Sequence, residues 1–435
     1  MSSNPLPIES PGQSHANSSI ESCSPVCADT PATEQSVLLD DHLDNLLRDL
    51  SSEEYILVTG GLGFIGSHTT LELLKAGYNV IVIDNLSNAF VSVFDRICCL
   101  ASTYHQERRT KMPSLWLHTH DYRDRRALQQ LLEEYQFVSR WGCAKSKIAG
   151  AIHFAAYKAV EESIREPLKY YANNVSGMID FATTLGDFGI KTLIFSSSAT
   201  VYGTLATSGI PLREEFCVHE KEVARDPKGV EKITQPGCTG ITNPYGKTKW
   251  VCETILADLA ASDPEWTIVA LRYFNPIGCD SSGILGEDPK KDATNLLPAV
   301  VKVMTRQCKV LQIFGTDWET KDGTAVRDFI HVTDLARGHI AALNAANEGK
   351  LKENFQTFNL GAGRGHSVME VISAMENASA KHIPRKAGER RPGDVGSCVA
   401  VATRSHEELQ WKTEKTLEDA CVDICRFLEV SGLSS

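Results

Sequence analysis

The chain has 435 residues, of which 42% are hydrophobic and 23% charged, which is the composition of a globular protein long enough for two domains. Its formal net charge of −11 argues against a nucleic-acid-binding protein, which usually presents a basic face, although a local basic pocket for an anion stays compatible with it. The 13 cysteines include no C-x-x-C pair and no stretch reaches the roughly 18 apolar residues of a membrane helix, so we expect free thiols, no metal site and no membrane span.

The N-terminal residues 1–50 are rich in Ser, Pro, Asn and Asp, and we expect them to form a disordered extension. Within this extension, LLDDHLDNLLRDL has helical spacing of leucine and predicts a marginal helix at most. The first residues contain no apolar run of the kind found in a secretory signal. A cytoplasmic protein is therefore expected.

From Tyr55 onward, short apolar runs alternate with amphipathic stretches. The expected strands are YILVTG, YNVIVIDN, LWLHTHD, AGAIHFAA and KTLIFSSS, and the helices between them include GLGFIGSHTTLELLKAG, RRALQQLLEEYQF and YYANNVSGMIDFATTLGDFG. This alternation predicts a Rossmann-type doubly wound parallel sheet. Two charged, turn-rich segments, 139–147 and 211–240, interrupt it and are expected to be surface loops. After Asn275 the pattern becomes irregular, as in a smaller second domain.

A glycine-rich turn follows the first strand. TGGLGFIG places Gly60, Gly63 and Gly66 between that strand and a helix, where glycines let backbone N–H groups approach a pyrophosphate. Asp84 ends the next strand and can accept both ribose hydroxyls of an adenosine, and its charge favours NAD over NADP. Asp121, after the third strand, is expected to contact the adenine or to cap a helix.

A tyrosine and a lysine stand one helical turn apart in NPYGKTKWVCETILADLA. The i, i+4 spacing puts Tyr245 and Lys249 on one helix face. A free tyrosine titrates at about 10, but a neighbouring ammonium and an oxidised nicotinamide are expected to lower that pKa. Tyr245 can then remove a proton from a substrate hydroxyl. In FSSSATVYG, the hydroxyls of Ser198 and Thr200 are placed to bond the reacting oxygen and the tyrosine.

Together, the glycine turn, the serine-rich strand end and the Tyr–Lys pair resemble the extended branch of the short-chain dehydrogenase/reductase family. Within that branch the chain resembles the UDP-sugar 4-epimerases, from Tyr55 to about Leu428, through long motifs such as DNLSN, HFAAYKAVEES, RYFNPIG, TAVRDFIHVTDLARGHIAAL and RRPGD. The resemblance implies interconversion of UDP-glucose and UDP-galactose, in which the sugar is oxidised at C4 by tightly bound NAD, turns over and is reduced again. It also implies a homodimer in galactose metabolism.

The resemblance assigns roles and domains to numbered positions of this chain. The NAD-binding domain is expected to comprise 51–275 and 326–364, and a smaller α/β UDP-sugar-binding domain 276–325 and 365–435. Ser198 and Tyr245 are expected to carry the chemistry, supported by Thr200 and Lys249. The expected NAD-binding residues are Gly60, Gly63, Phe64, Ile65, Gly66, Asp84, Asn85, Asn88, Asp121, Tyr122, Phe154, Lys158, Asn173, Tyr245, Lys249 and Tyr273. The expected substrate-binding residues are Ser198, Tyr245, Asn275, Asn295, Leu296, Arg327, Arg391, Asp394 and Cys398.

One position bears on the substrate range. Some members of the family carry a bulky tyrosine where this chain has Cys398, so the smaller thiol leaves room for an N-acetyl group on the sugar. We therefore also expect interconversion of UDP-N-acetylglucosamine and UDP-N-acetylgalactosamine. A simple buried hydrophobe is the open alternative for Cys398.

Other functions stay open from the residues alone. A 4,6-dehydratase or a decarboxylase of the same branch is disfavoured because Ala199, Thr200 and Val201 include no carboxylate to act as acid or base. A simple dehydrogenase would need added NAD and would accumulate a ketone. A NAD-sensing regulatory protein would be expected to lack the Tyr–Lys pair.

Overall fold

The alternating pattern forms strands and helices in the computed structural model, which describes residues 53–138, 142–225, 231–238, 240–290 and 295–433. The expected N-terminal extension and its helix lie outside those residues. In the first half of the chain the elements are β1 (Tyr55–Thr59), α1 (Phe64–Lys75), β2 (Asn79–Ile83), α2 (Ser92–Arg108), β3 (Leu115–His118), α3 (Arg125–Glu134), β4 (Gln136–Val138), β5 (Ala144–Ser146), β6 (Ile148–His153), α4 (Val160–Arg165), α5 (Pro167–Tyr170), a π-helical turn (Tyr171–Ser176), α6 (Gly177–Asp187) and β7 (Thr192–Ser198).

The second half begins with two 3-10 segments, Ala199–Ser208 and Glu214–Phe216. The elements that follow are β8 (Glu222–Arg225), β9 (Glu231–Thr234), α7 (Pro244–Ser262), β10 (Thr267–Tyr273), β11 (Asn275–Ile277), α8 (Leu296–Met304), β12 (Leu311–Phe314), β13 (Val326–His331), α9 (Val332–Asn347), β14 (Phe355–Leu360), β15 (Gly365–Ser367), α10 (Val368–Ser379), β16 (Arg385–Gly388), β17 (Ser397–Cys398), α11 (Thr403–Glu408) and α12 (Leu417–Val430). Of the helices that the structure describes, none has the length and apolar character needed to cross a membrane.

Seven strands of the described chain form one parallel sheet in the order β3-β2-β1-β6-β7-β10-β14. The sheet is covered on both faces, since the consecutive residues Ile81 and Val82 of β2 lie in two different hydrophobic clusters. The strand order reverses between β1 and β6, and in such sheets ligands bind at the carboxyl ends of the strands beside this point. The predicted doubly wound fold is confirmed.

A second group of elements packs around its own core. Strands β11, β13, β15 and β17 form a small sheet, and β12 pairs with β16. Helices α8, α10 and α12 contribute Leu297, Val300, Val371, Ile372 and Phe427 to the cluster of buried side chains beside these strands. Strand β14 returns to the large sheet. The domain boundaries drawn from the sequence stay a prediction.

The described residues of both interrupting segments include paired strands. Strand β5 of the first segment pairs antiparallel with β4, which precedes the segment, and β8 pairs antiparallel with β9 inside the second. The expectation of a surface loop is wrong for the beginning of the second segment, because Leu212, Cys217 and Val218 are all buried. Leu212 and Cys217 pack in one cluster with Val201 and Tyr202, so apolar side chains between charged ones anchor the segment to the sheet end.

Candidate functional site

The glycine turn between β1 and α1 has the shape required of a phosphate-binding loop. Gly60 has a φ of +72°, in the left-handed region that favours glycine. A Cβ on Gly66 would lie 2.2 Å from the carbonyl oxygen of Gly60, whereas a Cβ on Gly63 would meet only that oxygen, at 3.3 Å. The loop is therefore closed on the side of Gly66 and accessible on the side of Gly63. Phe64 and Ile65 form the first turn of α1, whose N–H groups can receive a pyrophosphate there.

The Asp84 carboxylate lies beside the glycine turn, as the sequence predicted. Its Oδ2 accepts a hydrogen bond from the Leu62 N–H at 3.1 Å and its Oδ1 accepts one from the Leu86 N–H at 2.9 Å. Burial raises the pKa of Asp84, while these two bonds act in the opposite direction. A carboxylate oxygen has a second lone pair, so Asp84 can hold the loop and still accept ribose hydroxyls.

Asp121 contacts Asn85, the residue that follows Asp84 in the sequence. Asn85 donates to Asp121 at 3.1 Å, and Arg123 forms two bonds of 2.9 and 2.7 Å to the same carboxylate. The Arg123 bonds hold the pKa of Asp121 at about 2. Helix α3 is capped by Asp124, which accepts the Ala127 N–H at 3.1 Å. The alternative of a helix cap at Asp121 is therefore wrong.

Of four other residues expected at the cofactor, Tyr122, Asn173 and Tyr273 are buried and Phe154 is partly buried. Phe154 follows β6, and its ring lies 4.7 Å from that of His339, which also bonds the Tyr273 hydroxyl at 3.0 Å. The Tyr122 side chain is buried and donates its hydroxyl proton to the Asn173 carbonyl at 2.5 Å. Tyr122 can therefore offer a cofactor only its backbone.

The reacting hydroxyls meet where β7 ends and α7 begins. Ser198 ends β7, and its Oγ accepts hydrogen bonds from the Thr200 hydroxyl at 3.0 Å and the Thr200 N–H at 3.2 Å. Tyr245 lies in the first turn of α7, which Asn243 caps. A Cβ on Gly246 would lie 3.1 Å from the Thr200 carbonyl, so the glycine lets α7 approach the strand end closely. The structure thus brings Ser198, Thr200 and Tyr245 together as predicted.

Burial shifts the pKa values of both members of the Tyr–Lys pair. Burial raises the pKa of Tyr245 to about 12, against a hydrogen bond with Ser198 that lowers it. Lys249 donates to the Ser196 carbonyl at 2.5 Å and lies 6.0 Å from the centre of the Tyr245 ring, and burial lowers its pKa to about 8. In the polypeptide alone, burial therefore outweighs the hydrogen bond, and the lowering of the Tyr245 pKa expected from the ammonium together with an oxidised nicotinamide stays a prediction.

Sequence reasoning missed a buried polar cluster behind the strand end. Glu253 of α7 is fully buried and accepts hydrogen bonds from Arg272 at 3.1 and 2.7 Å, from His219 at 2.8 Å and from the Ser197 hydroxyl. Although burial opposes ionisation, Arg272 and His219 hold the pKa of Glu253 at about 2. We call these four residues the Glu253 network. One sign of this cluster was available in the sequence: Glu253 stands four residues after Lys249, and so on the same face of the predicted helix.

One cavity of about 350 Å³ lies beside the small sheet, within the range of small-molecule sites. Six of the nine residues predicted to bind substrate line it: Asn275, Asn295, Leu296, Arg327, Arg391 and Asp394. Ser198, Tyr245 and Cys398 are not among its lining residues. Two of them lie near it along the strands, because Ser198 pairs with Tyr273, two residues before Asn275, and Cys398 pairs with Arg327.

The charges in this cavity suit an anionic ligand. Arg327 donates to the Val326 carbonyl at 2.9 Å and forms no ion pair with another described residue, and burial lowers its pKa. Arg391 bonds Asp394 at 3.1 Å and lies 4.6 Å from the centre of the Phe314 ring. Two guanidinium groups in one cavity provide the planar, charged donors that a diphosphate requires.

A loop missed by the sequence reasoning connects this cavity to the predicted cofactor residues. Glu287 and Lys290 both line the cavity. Glu287 pairs with Lys158 at 3.6 Å, and Lys290 bonds the carbonyls of Leu86 at 2.9 Å and Asn88 at 3.3 Å. The structure therefore brings Lys158 and Asn88 to the edge of the cavity.

The fold and these side chains together define a dinucleotide-dependent enzyme of the short-chain dehydrogenase/reductase type. The chain belongs to the NAD dependent epimerase/dehydratase family, whose model matches residues 56–361. It is 40% identical over 372 residues to the UDP-glucose 4-epimerase of Bacillus subtilis, covering 86% of this chain and 96% of that protein. The human UDP-glucose 4-epimerase is 42% identical over 376 residues, with the same coverage.

A solved structure is similar as well. The UDP-glucose 4-epimerase of Bifidobacterium longum, crystallised in complex with NAD+ and UDP, has a TM-score of 0.72 and 38% identity, covering 88% of this chain and 100% of that one. The predicted family and the predicted dependence on NAD are confirmed.

Proposed function

We propose that this protein interconverts UDP-glucose and UDP-galactose by oxidation and re-reduction at C4 of the sugar, with NAD that stays bound through the cycle. The observation that carries the proposal is the placement of Ser198 at the end of a strand that leads, through Tyr273 and Asn275, into the cavity lined by two arginines, with Tyr245 beside Ser198 in the first turn of α7. Arg327 and Arg391 hold the diphosphate, and the sugar extends toward Tyr245.

The residues of the chain divide the work between anchoring and proton transfer. Tyr245 takes the proton of the 4-hydroxyl and returns it to the 4-oxygen after the keto sugar has turned, while Ser198 and Thr200 hold that oxygen. Bound NAD supplies the acceptor and donor of hydrogen at C4 and, when oxidised, a positive charge that favours the phenolate. Lys249 adds a second positive charge on the same side. The diphosphate contacts stay fixed, so the flat 4-keto sugar can turn about them.

Elimination of water is disfavoured by the position of the acidic groups. Positions 199–201 hold no carboxylate, and Glu253, the acid that bonds Ser197 at the strand end, is fully buried and paired with Arg272. A 4,6-dehydratase needs an acid and a base that reach the sugar. The site therefore suits a reaction whose only proton transfer occurs at the 4-oxygen.

The decisive experiment is incubation of the purified protein with UDP-galactose and no added NAD. Formation of UDP-glucose supports the proposal, and the Tyr245→Phe variant provides the matched control, with turnover expected to fall at least about 100-fold. Dependence on added NAD, accumulation of a ketone or a 4-keto-6-deoxy product would refute it. A Tyr245→Phe protein that retains its biological effect would indicate a regulatory protein.

The substrate range is proposed to include the N-acetylated UDP-sugars. Cys398 pairs with Arg327 in the small sheet, and burial raises the pKa of its thiol to about 11, so the side chain is small and neutral. Cys398→Tyr is expected to abolish turnover of UDP-N-acetylglucosamine and to preserve that of UDP-glucose. Equal loss of both activities, or no turnover of either N-acetyl sugar by the wild type, would contradict this.

We also propose that the protein is a cytoplasmic homodimer. Ile164, Leu168 and Ile179 are exposed on the consecutive helices α4, α5 and α6, and Leu168 is 81% exposed. Large exposed apolar side chains are typical of surfaces that another chain covers. Sedimentation equilibrium tests this, and a monomeric wild type would refute it.

A further inference from the structure

The chain between Ser198 and Tyr245 includes a long segment whose expected place was the surface. Its beginning is instead fixed to the body of the protein by backbone bonds of 2.8 Å from Leu212 to Val399 and from Val401 to Leu212. Glu214 accepts the N–H of Asn359 at 2.7 Å. The segment therefore reaches His219 from an anchored position.

The His219 side chain is inserted against α7 and is 5% exposed. Its Nε2 lies 2.8 Å from Glu253 Oε2, and its Nδ1 lies 3.2 Å from the Thr254 hydroxyl. The ring stacks on Trp250 with 3.9 Å between centroids, and Phe355 closes the other side edge-on at 5.5 Å. Because an ionised carboxylate can only accept, Nε2 carries the proton of the bond to Glu253.

Glu253 connects this histidine to both halves of the reacting site. Oε2 accepts from His219 and Arg272, and Oε1 accepts from Arg272 and from the hydroxyl of Ser197, the residue before Ser198. Glu253 itself stands one turn of α7 beyond Lys249 and two beyond Tyr245. The carboxylate thus ties the end of β7 to the helix that carries the Tyr–Lys pair.

We infer that His219 is a positioning residue for the proposed reaction. By donating to Glu253 from the segment outside the sheet, it completes the set of hydrogen bonds that holds Ser198 at a fixed distance from Tyr245. The inference rests on the proposed function, and it gives the inserted segment a role in turnover. The diphosphate cavity is lined by other residues, so His219 acts on the rate of reaction at bound sugar and not on binding.

The test compares His219→Phe with His219→Gln. Phenylalanine keeps the stacking on Trp250 but donates nothing, whereas glutamine restores an N–H for Glu253. For His219→Phe, kcat with UDP-galactose is expected to fall about tenfold, equivalent to about 1.4 kcal/mol, with KM unchanged. His219→Gln should recover most of kcat. His382→Phe is the control, because His382 is exposed and pairs with Glu376, which is not part of the Glu253 network.

Several outcomes overturn the inference. These are an unchanged kcat in His219→Phe, failure of His219→Gln to recover it, or a parallel rise in KM. If His219→Phe does not fold, a wild-type kcat in His219→Ala at a temperature where it is folded also overturns it. A second measurement is a double-mutant cycle of His219→Phe and Ser197→Ala. Their effects on kcat must be non-additive, because both act through Glu253. A wild type that does not interconvert the sugars overturns the proposed function together with this inference, whereas an active wild type with an unaffected variant overturns this inference alone.

Discussion

Arg272→Met removes the buried cation that balances Glu253. The substitution deletes both hydrogen bonds from the guanidinium. The Glu253 carboxylate, whose side chain is 0% exposed, then keeps only Ser197 and His219 as side-chain donors among the described residues. Breaking one partner of a buried pair costs about 3–5 kcal/mol, which is a large part of the roughly 5–15 kcal/mol that stabilises a typical domain. We expect a loss of that size in the free energy of unfolding, measured by urea denaturation followed by circular dichroism.

The pH dependence of this loss tests its cause. Without Arg272, burial raises the pKa of Glu253 above its ordinary value of 4.5. The free energy of unfolding of the variant therefore falls as the pH rises through that raised pKa, because the buried carboxylate is then ionised without its cation. The difference from wild type should therefore be larger at pH 8 than at pH 5. An equal loss at both pH values would refute the reasoning. Lys191→Met, which removes an exposed cation from Asp263 and Glu265, is the control and should leave stability within error.

Three further predictions concern the cofactor loop, the substrate cavity and the buried histidines. Gly66→Ala should lose both bound NAD and stability, because its Cβ would lie 2.2 Å from a carbonyl oxygen. Gly63→Ala should lose NAD but keep its fold. Nucleotide release and thermal unfolding measure these effects, and equal stability of the two variants would contradict the prediction. Arg327→Gln should raise KM for UDP-glucose roughly 10–100-fold with little change in kcat, since a charge-assisted bond contributes about 1.5–3 kcal/mol; a matching fall in kcat would argue against anchoring. Burial lowers the pKa of His153 to about 3 and of His339 to about 4, so the unfolded chain takes up protons that the folded chain does not. Stability should then be constant above pH 6.5 and fall below it, by about 2 kcal/mol for each histidine at pH 5; urea titrations that show no loss would refute this.

The parts of the fold predicted from sequence are those that depend on local pattern. Apolar runs that end in glycine or a polar residue gave the strands of the large sheet, and the order of motifs along the chain gave the positions of Asp84, Ser198 and Tyr245. Parallel strands bring their carboxyl ends to one edge, so residues far apart in sequence could be expected to meet there.

The parts that were missed depend on tertiary packing. His219 stands among charged residues, and nothing local distinguishes a histidine stacked on Trp250 from one in solvent. The same applies to Asp121 and Asp124, since only the position of α3 decides which carboxylate caps it. For Tyr245, the sequence shows the neighbouring cation but not the burial that raises the pKa of its hydroxyl in the polypeptide alone.

Three tasks fall on almost consecutive residues at the end of β10 and the start of β11. Arg272 bonds Glu253 on α7, Tyr273 bonds His339 on α9, and Asn275 lines the substrate cavity. Because side chains alternate between the faces of a strand, one added or deleted residue would exchange these directions for all that follow. Substitution at one of these positions is expected to affect mainly one property: stability at Arg272, the cofactor at Tyr273 or the substrate at Asn275. Insertion or deletion of a single codon would disrupt all three together. We therefore expect this stretch to tolerate substitutions better than changes of length.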